Sequence, residues 1–383
     1  MSRAKHALRA RLGVLIVGCA ASVAAVATGG TVIGGFGGPL FGLTAGRPGE
    51  LFVADASVGV TPIRNGVRGT PIVLPGVTDM SLANTTTLWA VTGAGPAGPR
   101  VDSGQGIHLI KNGKPTKIVN LFEFEAANNP HTGVPDNAPD SNPYDVQALS
   151  QNAALVADAG GNDLLRIDRW GNVKVLAVFP DEVVSTANIK SFLPCPPPGS
   201  PPPPAGTPPP PPLCNLPPAI PAQPVPTSIA IDRFGYIYVG ELKGFPAPTN
   251  ESNIWRVSPR ANGAQCGASP DCVKVFDGGF TSVIDLAFGP DGLLYVTELD
   301  EGSWAAIEIF GQPKGGTINA CNVRLGFCRE VADDLPQPIG TAFDHQGALW
   351  ATQHSLEPGE GEVVKVRGRV HAWWRHPKFS WHD

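Results

Sequence analysis

Charge, methionine and histidine are all scarce in this chain. Of 383 residues, 16% are charged, two are methionine and eight are histidine. No Lys/Arg-rich block is present and the formal net charge is −5, which argues against a nucleic-acid or anionic-membrane partner. No G-x-S-x-G elbow, P-loop or dinucleotide fingerprint occurs; Gly93-Ala-Gly95 reads as a loop, since no helix follows it to receive a phosphate. The cysteines never take the C-x-x-C spacing of a zinc or redox site. What is abundant instead is glycine (46) and proline (41), the composition of a turn-rich, helix-poor all-β chain.

The N-terminus reads as an export leader, residues 1–27. Arg3, Lys5, Arg9 and Arg11 form a basic start, Leu12 to Val26 is apolar, and Ala25-Val26-Ala27 is a small-x-small cleavage site before Thr28. Ile16-Val17-Gly18-Cys19 offers a rival, lipoprotein-type cut that would anchor the chain through Cys19, although the apolar run continues through Ala20–Ala27. No other run is long enough to span a bilayer, so membrane contact is expected only transiently, through the leader. Its removal takes the basic count from 28 to 24 against 33 acidic residues, and the net charge from −5 to −9. The six cysteines other than Cys19 are expected to pair in an oxidising compartment, by proximity as Cys195–Cys214, Cys266–Cys272 and Cys321–Cys328.

One unit, Phe280 to Leu299, organises the rest. Two short apolar runs, Ile284–Phe288 and Leu293–Glu298, flank Gly289-Pro290-Asp291-Gly292, a turn in which Gly supplies the positive φ that closes a hairpin. Six copies align on the second strand: Leu51–Asp55, Leu88–Thr92, Ala154–Asp158, Ile237–Glu241, Leu294–Glu298 and Leu349–Gln353. First strands precede them at Leu40–Thr44, Asp79–Ala83, Asp145–Leu149, Ser228–Ile231, Asp285–Phe288 and Gly340–Phe343. Third strands are expected at Ile107–Ile110, Leu164–Asp168, Ile254–Ser258, Ala306–Phe310 and Val363–Val366, and fourth strands at Lys117–Leu121, Val173–Phe179, Val273–Phe276 and Arg329–Val331. Four antiparallel strands repeated six times predict a six-bladed β-propeller over residues 28–366. The last copy lacks a fourth strand, which Thr31–Phe36 or Val370–Trp374 is placed to supply. Residues 194–226 hold the runs Pro196–Pro198, Pro201–Pro204 and Pro208–Pro212 and are expected as a disulfide-closed polyproline II insertion unable to pair as a strand. The basic, aromatic residues 367–383 form a separate tail.

The runs Leu155–Asp168, Val225–Ile231 with Tyr238–Pro246, and Ile284–Gly292 resemble the ScyD/ScyE family of exported bacterial propellers, over roughly Gly49 to Val366 without the proline tract. NHL- and SMP-30-type propellers share the same strand–turn–strand core. The resemblance implies a secreted propeller with no established activity and no defined catalytic residues.

The candidate site is acidic. Asp79, Asp145 and Asp285 occupy one equivalent position, which a propeller turns toward the mouth of its central channel, with Asp55, Asp158, Glu241 and Glu298 farther out on the same face. Convergent carboxylates suit a hard cation such as Ca²⁺, as in lactonase-type propellers; the other use of such residues is to cap turns or accept backbone N–H bonds between blades. His354 stands where sugar-oxidising quinoprotein propellers place a base, but the Gly-Gly-Asp-Glu run that follows theirs is replaced by Ser355–Gly361, which favours a structural histidine. Asp163 and Asp168 alternate with apolar residues, as on an exposed strand edge. The expected function is an extracellular binding or scaffold module for a protein or small molecule, without catalytic residues; the alternative is a divalent-cation-dependent hydrolase of the lactonase type. N-terminal sequencing of the exported protein should begin at Thr28, whereas a lipid-modified Cys19 would contradict the leader assignment.

Overall fold

The computed structural model describes residues 31–96, 98–132, 138–197, 199–200, 207–367 and 374–375. The expected leader 1–27, Cys19 and nearly all of the tail 367–383 lie outside them. Six small antiparallel sheets form a six-bladed β-propeller. Their second strands are Glu50–Asp55, Thr87–Thr92, Ala153–Asp158, Ile237–Glu241, Leu294–Glu298 and Leu349–Gln353, the six cores read from the sequence. The blades are numbered 1 to 6 in that order.

The hairpins are set by local chemistry. Asn112 and Gly113 both adopt positive φ (49° and 74°), the demand of a two-residue turn whose twist matches its strands. In blades 4 and 6 the turn begins with an aspartate whose Oδ1 accepts two backbone N–H groups, Asp232 from Phe234 and Tyr236 and Asp344 from Gln346 and Ala348. A side chain here replaces the backbone partner that a tight turn cannot offer.

The hydrophobic core is divided among the gaps between blades. Leu155, Leu164 and Phe179 of blade 3 pack against Ile229, Val239 and Trp255 of blade 4, and a comparable buried cluster fills each of the other five gaps. The gap between blades 6 and 1 is filled by Ala342 and Val363 against Leu40 and Val53, so the ring closes on itself. A strand ladder adds to closure: Val32 and Ile33 pair with Val364 and Val363 as the outer strand of blade 6. Of the competing segment Val370–Trp374, only Trp374 is described. Trp374–Arg375 instead pairs with Phe327 and Cys328, on the outer edge of blade 5.

Three expectations need correction. The third strand of blade 5 is Gly316–Asn322, and the region of Ala306–Phe310 holds a short helix, Trp304–Glu308, whose run of small and apolar residues mimics strand alternation. The proline tract does contribute a strand: Ala219–Ala222 pairs with Glu182–Ser185, Pro221 opposite Val183. A two-stranded ribbon has a free outer side, where a missing N–H costs no ladder bond. Asp163 is buried, as described below.

All three disulfides form, with Cα–Cα distances of 5.3 Å (Cys195–Cys214), 4.6 Å (Cys266–Cys272) and 4.0 Å (Cys321–Cys328). The last joins directly opposed residues of the third and outer strands of blade 5. Ile33 is only 6% exposed, so Ile33→Asp, which places an unpaired charge in the seam between the first and last blades, should cost on the order of 3 kcal/mol in denaturant unfolding; an unchanged midpoint would contradict closure by this strand.

Candidate functional site at the channel mouth

Four of the six inner strands carry an irregularity just before the residue that faces the channel. The register slips between Val77 and Asp79, Pro143 and Asp145, Pro226 and Ser228, and Val283 and Asp285. A bulge of this kind kinks the strand and re-aims the side chain that follows it. Asp79, Asp145 and Asp285 consequently occupy equivalent places, opposite Val91, Ala157 and Thr297. The remaining blades have Gly42, Ser228 and Gly340 at this level. A Cβ on Gly42 would stand 1.7 Å from Asp79 Oδ1, and one on Gly340 would stand 2.4 Å from the Phe41 carbonyl oxygen, so both positions exclude a side chain.

The three carboxyls are engaged with their neighbours. Val146 N–H donates to Asp79 Oδ2 at 3.0 Å, Ile229 N–H donates to Asp145 Oδ2, and the Thr341 N–H and Oγ1 both donate to Asp285 Oδ2. Each aspartate therefore grips the inner strand of the following blade, one residue beyond the equivalent position. Asp79 and Asp145 also lie close enough to act on each other, which favours a proton on the pair. Burial raises all three: Asp145 to about 6, Asp285 to about 8 and Asp79 well above the ordinary carboxylate range, where the nearby Asp145 charge adds to the effect. The carboxylates farther out are saturated as well. Asp55 accepts from Gly37 N, Ser57 N and Ser57 Oγ; Glu298 accepts from Thr281 N, Thr317 Oγ1 and Asn319 Nδ2. Glu241 is held by Lys243, Asn253 and Trp255. Among the described residues, no three His, Cys, Asp or Glu side chains stand together as a ready cation cage.

An apolar collar lies beside this ring. Phe41 (blade 1), Tyr144 (blade 3), Leu242 (blade 4), Ile307 (blade 5) and Leu356 (blade 6) gather around buried Ile284, Leu299 and Ile339. Tyr144 meets Phe41 edge-on, with ring centroids 5.9 Å apart. Burial drives the Tyr144 hydroxyl well above its usual range, with Glu308, Asp285, Asp145 and Asp79 all adding to the rise, so these groups share one locality. Glu308 is exposed, yet the protein around it pushes its carboxyl up to about 7. Sequence reading missed the collar, because Leu242, Ile307 and Leu356 come from loops and a short helix outside the repeat, while Phe41 and Tyr144 come from irregular inner strands.

His354 is not part of this cluster: it lies 3.3 Å from Glu357 and is partly exposed. Asp168 caps its turn through Trp170 N and Asn172 N, whereas Asp163, expected at an exposed edge, is fully buried.

No family model and no curated protein matches the chain. Solved structures do. A protein of unknown function from Bacteroides thetaiotaomicron aligns over 86% of this chain and 70% of its own, at 10% identity and a TM-score of 0.52. A gluconolactonase from Xanthomonas campestris aligns over 87% of each chain at 10% identity and 0.51. The calcium-binding protein regucalcin from Agrobacterium tumefaciens aligns over 90% of this chain and 97% of its own, at 13% identity and 0.50. At such identities the likeness is one of fold.

The raised carboxyl of Asp285 has a definite pH signature. The fold favours its neutral form, so its contribution is complete below the unfolded value near 3.8 and is lost as pH rises through about 8. Asp285→Asn keeps an acceptor for Thr341 N–H but cannot ionise. Its Tm should fall less between pH 5 and pH 9 than that of the wild type; parallel curves would contradict the assignment.

Proposed function

We propose that this propeller is an extracellular binding module that receives its ligand, a small molecule or a projecting segment of a partner protein, at the collared channel mouth. The observation that carries this reading is the collar itself: five blades deliver partly exposed apolar side chains to one spot, with the Tyr144 hydroxyl and the Glu308 carboxyl beside them. An apolar concavity with a few polar groups is what organic ligands and anchoring side chains bind. The aspartates beside it serve the ring, since every one is spent on a neighbouring blade. Three disulfides fit an oxidising compartment outside the cytoplasm, in keeping with export by the N-terminal leader. We likewise propose that the chain is of the ScyD/ScyE kind its sequence resembles, which adds no catalytic residue to this reading.

A cation-dependent lactone hydrolase is the second reading. It is favoured by one observation, the convergence of three carboxyls with raised pKa values near the channel axis.

The two separate in one set of assays. Ile307→Asp with Leu356→Asp puts charge into the collar at positions that are not fully buried. The immobilised wild-type chain should retain compounds or proteins from concentrated culture fluid that this folded double variant loses, and identical retention would contradict the binding reading. Hydrolysis of a simple aldonolactone that needs Ca²⁺ and disappears in Asp145→Asn would select the second.

A further inference from the structure

The geometry points to a hard divalent cation site, of the Ca²⁺ class, in blade 3, which Glu125 and Asp163 beside Asp158 would close around an entering ion, since no three-ligand cage stands ready among the described residues. It is separate from the channel mouth and independent of the function proposed there.

The inference starts from a comparison within the repeat. The last residue of each second strand faces the third strand. These pairs are Asp55 with Gly59, Thr92 with Gly106, Glu298 with Thr317, and Gln353 with Glu362. In blade 4 the corresponding contact is Glu241 with Asn253, whose Nδ2 donates to Glu241 Oε2 at 2.7 Å. Five blades thus place at most one carboxylate in the pair. Blade 3 opposes two, Asp158 and Asp163, and the eight-residue helix Leu121–Asn128 adds a third, Glu125. All three are 0% exposed.

Blade 4 shows how such a place is neutralised. Two residues after Glu241 comes Lys243, fully buried, its Nζ 2.8 Å from Glu241 and 2.6 Å from Glu182. Two residues after Asp158 comes Gly160. A Cβ there would stand 2.7 Å from the Asn142 nitrogen and 2.7 Å from Asp140 Oδ1, so no lysine can grow from this position. Blade 3 therefore gathers three buried carboxyl groups with no lysine at the position that answers them in blade 4.

The oxygens differ in their occupation. Asp158 is saturated by Ser141 Oγ, Asn142 N, Gly160 N and Gly161 N, and so fixes the loop around the cluster. Both oxygens of Glu125 and both of Asp163 are buried with no hydrogen-bond partner. A carboxyl in that condition costs several kcal/mol unless it is neutralised or coordinated. Glu125 and Asp158 flank Gly161, where a Cβ would lie 3.1 Å and 3.3 Å from their carboxyl carbons. Asp140 is the fourth acid nearby, and it meets Arg100 at 3.4 Å. Burial and the neighbouring acids push Glu125 to about 9 and Asp163 well above its usual range, and no basic side chain offsets either rise. A cation entering here would draw Glu125 and Asp163 onto one centre, with backbone carbonyls and water completing an oxygen shell, and would displace the protons that burial otherwise keeps on these two carboxyls.

The test uses the full oxidised chain, stripped with chelator and titrated with Ca²⁺ at pH 7 by calorimetry and thermal melting. The expected result is one bound ion, release of the protons held on Glu125 and Asp163, and a Tm several degrees higher. Asp163→Asn, which copies Asn253 of blade 4, should lose both the heat and the shift while melting above the chelated wild type. Glu125→Gln should lose the heat as well. Asp285→Asn, in the channel, should keep both responses. The proposal is overturned if Ca²⁺, Mg²⁺ and Mn²⁺ up to about 10 mM leave the wild type unchanged, which would leave a proton-held cluster. It is equally overturned if Asp163→Asn still responds, or if the response vanishes in Asp285→Asn, which would put the ion in the channel.

Discussion

The constraint from which this structure follows is that no blade can bury its own faces. A four-stranded sheet of this size has two apolar sides, and each is covered only by the next sheet in the ring. The buried clusters accordingly lie in the gaps between blades, and the gap between blades 6 and 1 must be filled as tightly as the rest. Closure by Val32–Ile33 answers that demand from the far end of the chain. Around the channel, where inner strands crowd, side chains of Asp79, Asp145 and Asp285 tie one strand to the next, while Gly42 and Gly340 give up their side chains so that neighbours can approach.

Most of the ring was legible in the sequence because its information is local and repeated. Asn112-Gly113 and Asp344-His-Gln-Gly347 specify turns by the φ values and donors they need, and six recurrences turn a weak strand signal into an architecture. The sequence failed where the repeat is interrupted. The residues Trp304–Glu308 carry an apolar pattern compatible with either period, and only the pairing of Gly316–Asn322 with Leu294–Glu298 decides between them. Ala219–Ala222 was unreadable as a strand for a related reason, since a proline is acceptable on one side of a ribbon and not on the other.

The candidate site divides in the same way. The position shared by Asp79, Asp145 and Asp285 was visible from alignment of the copies, but what those carboxyls do depends on the backbone of the following blade, which no single copy contains. Asp163 illustrates the converse. Alternation with apolar residues suggested an edge, yet Asp163 is fully buried, near Glu125 of the helix Leu121–Asn128 inserted between blades 2 and 3, where Asn120 caps its start through Glu123 N. The signal that could have found it was present: Asn253 at the matching place in blade 4 marks Asp163 as an acid in an amide's position.

Everything rests on a ring closed by its two ends, and that geometry can be trapped directly. Val32 and Val364 are opposed across the closing ladder, the arrangement in which native Cys321 and Cys328 are already bonded. Val32→Cys with Val364→Cys, oxidised in the folded protein and cut by protease between blades, should give fragments from the two ends of the chain that separate only on reduction. Fragments that separate without reductant, from a protein otherwise folded and with its native disulfides intact, would show that the ends do not meet and that the acidic positions do not share one channel.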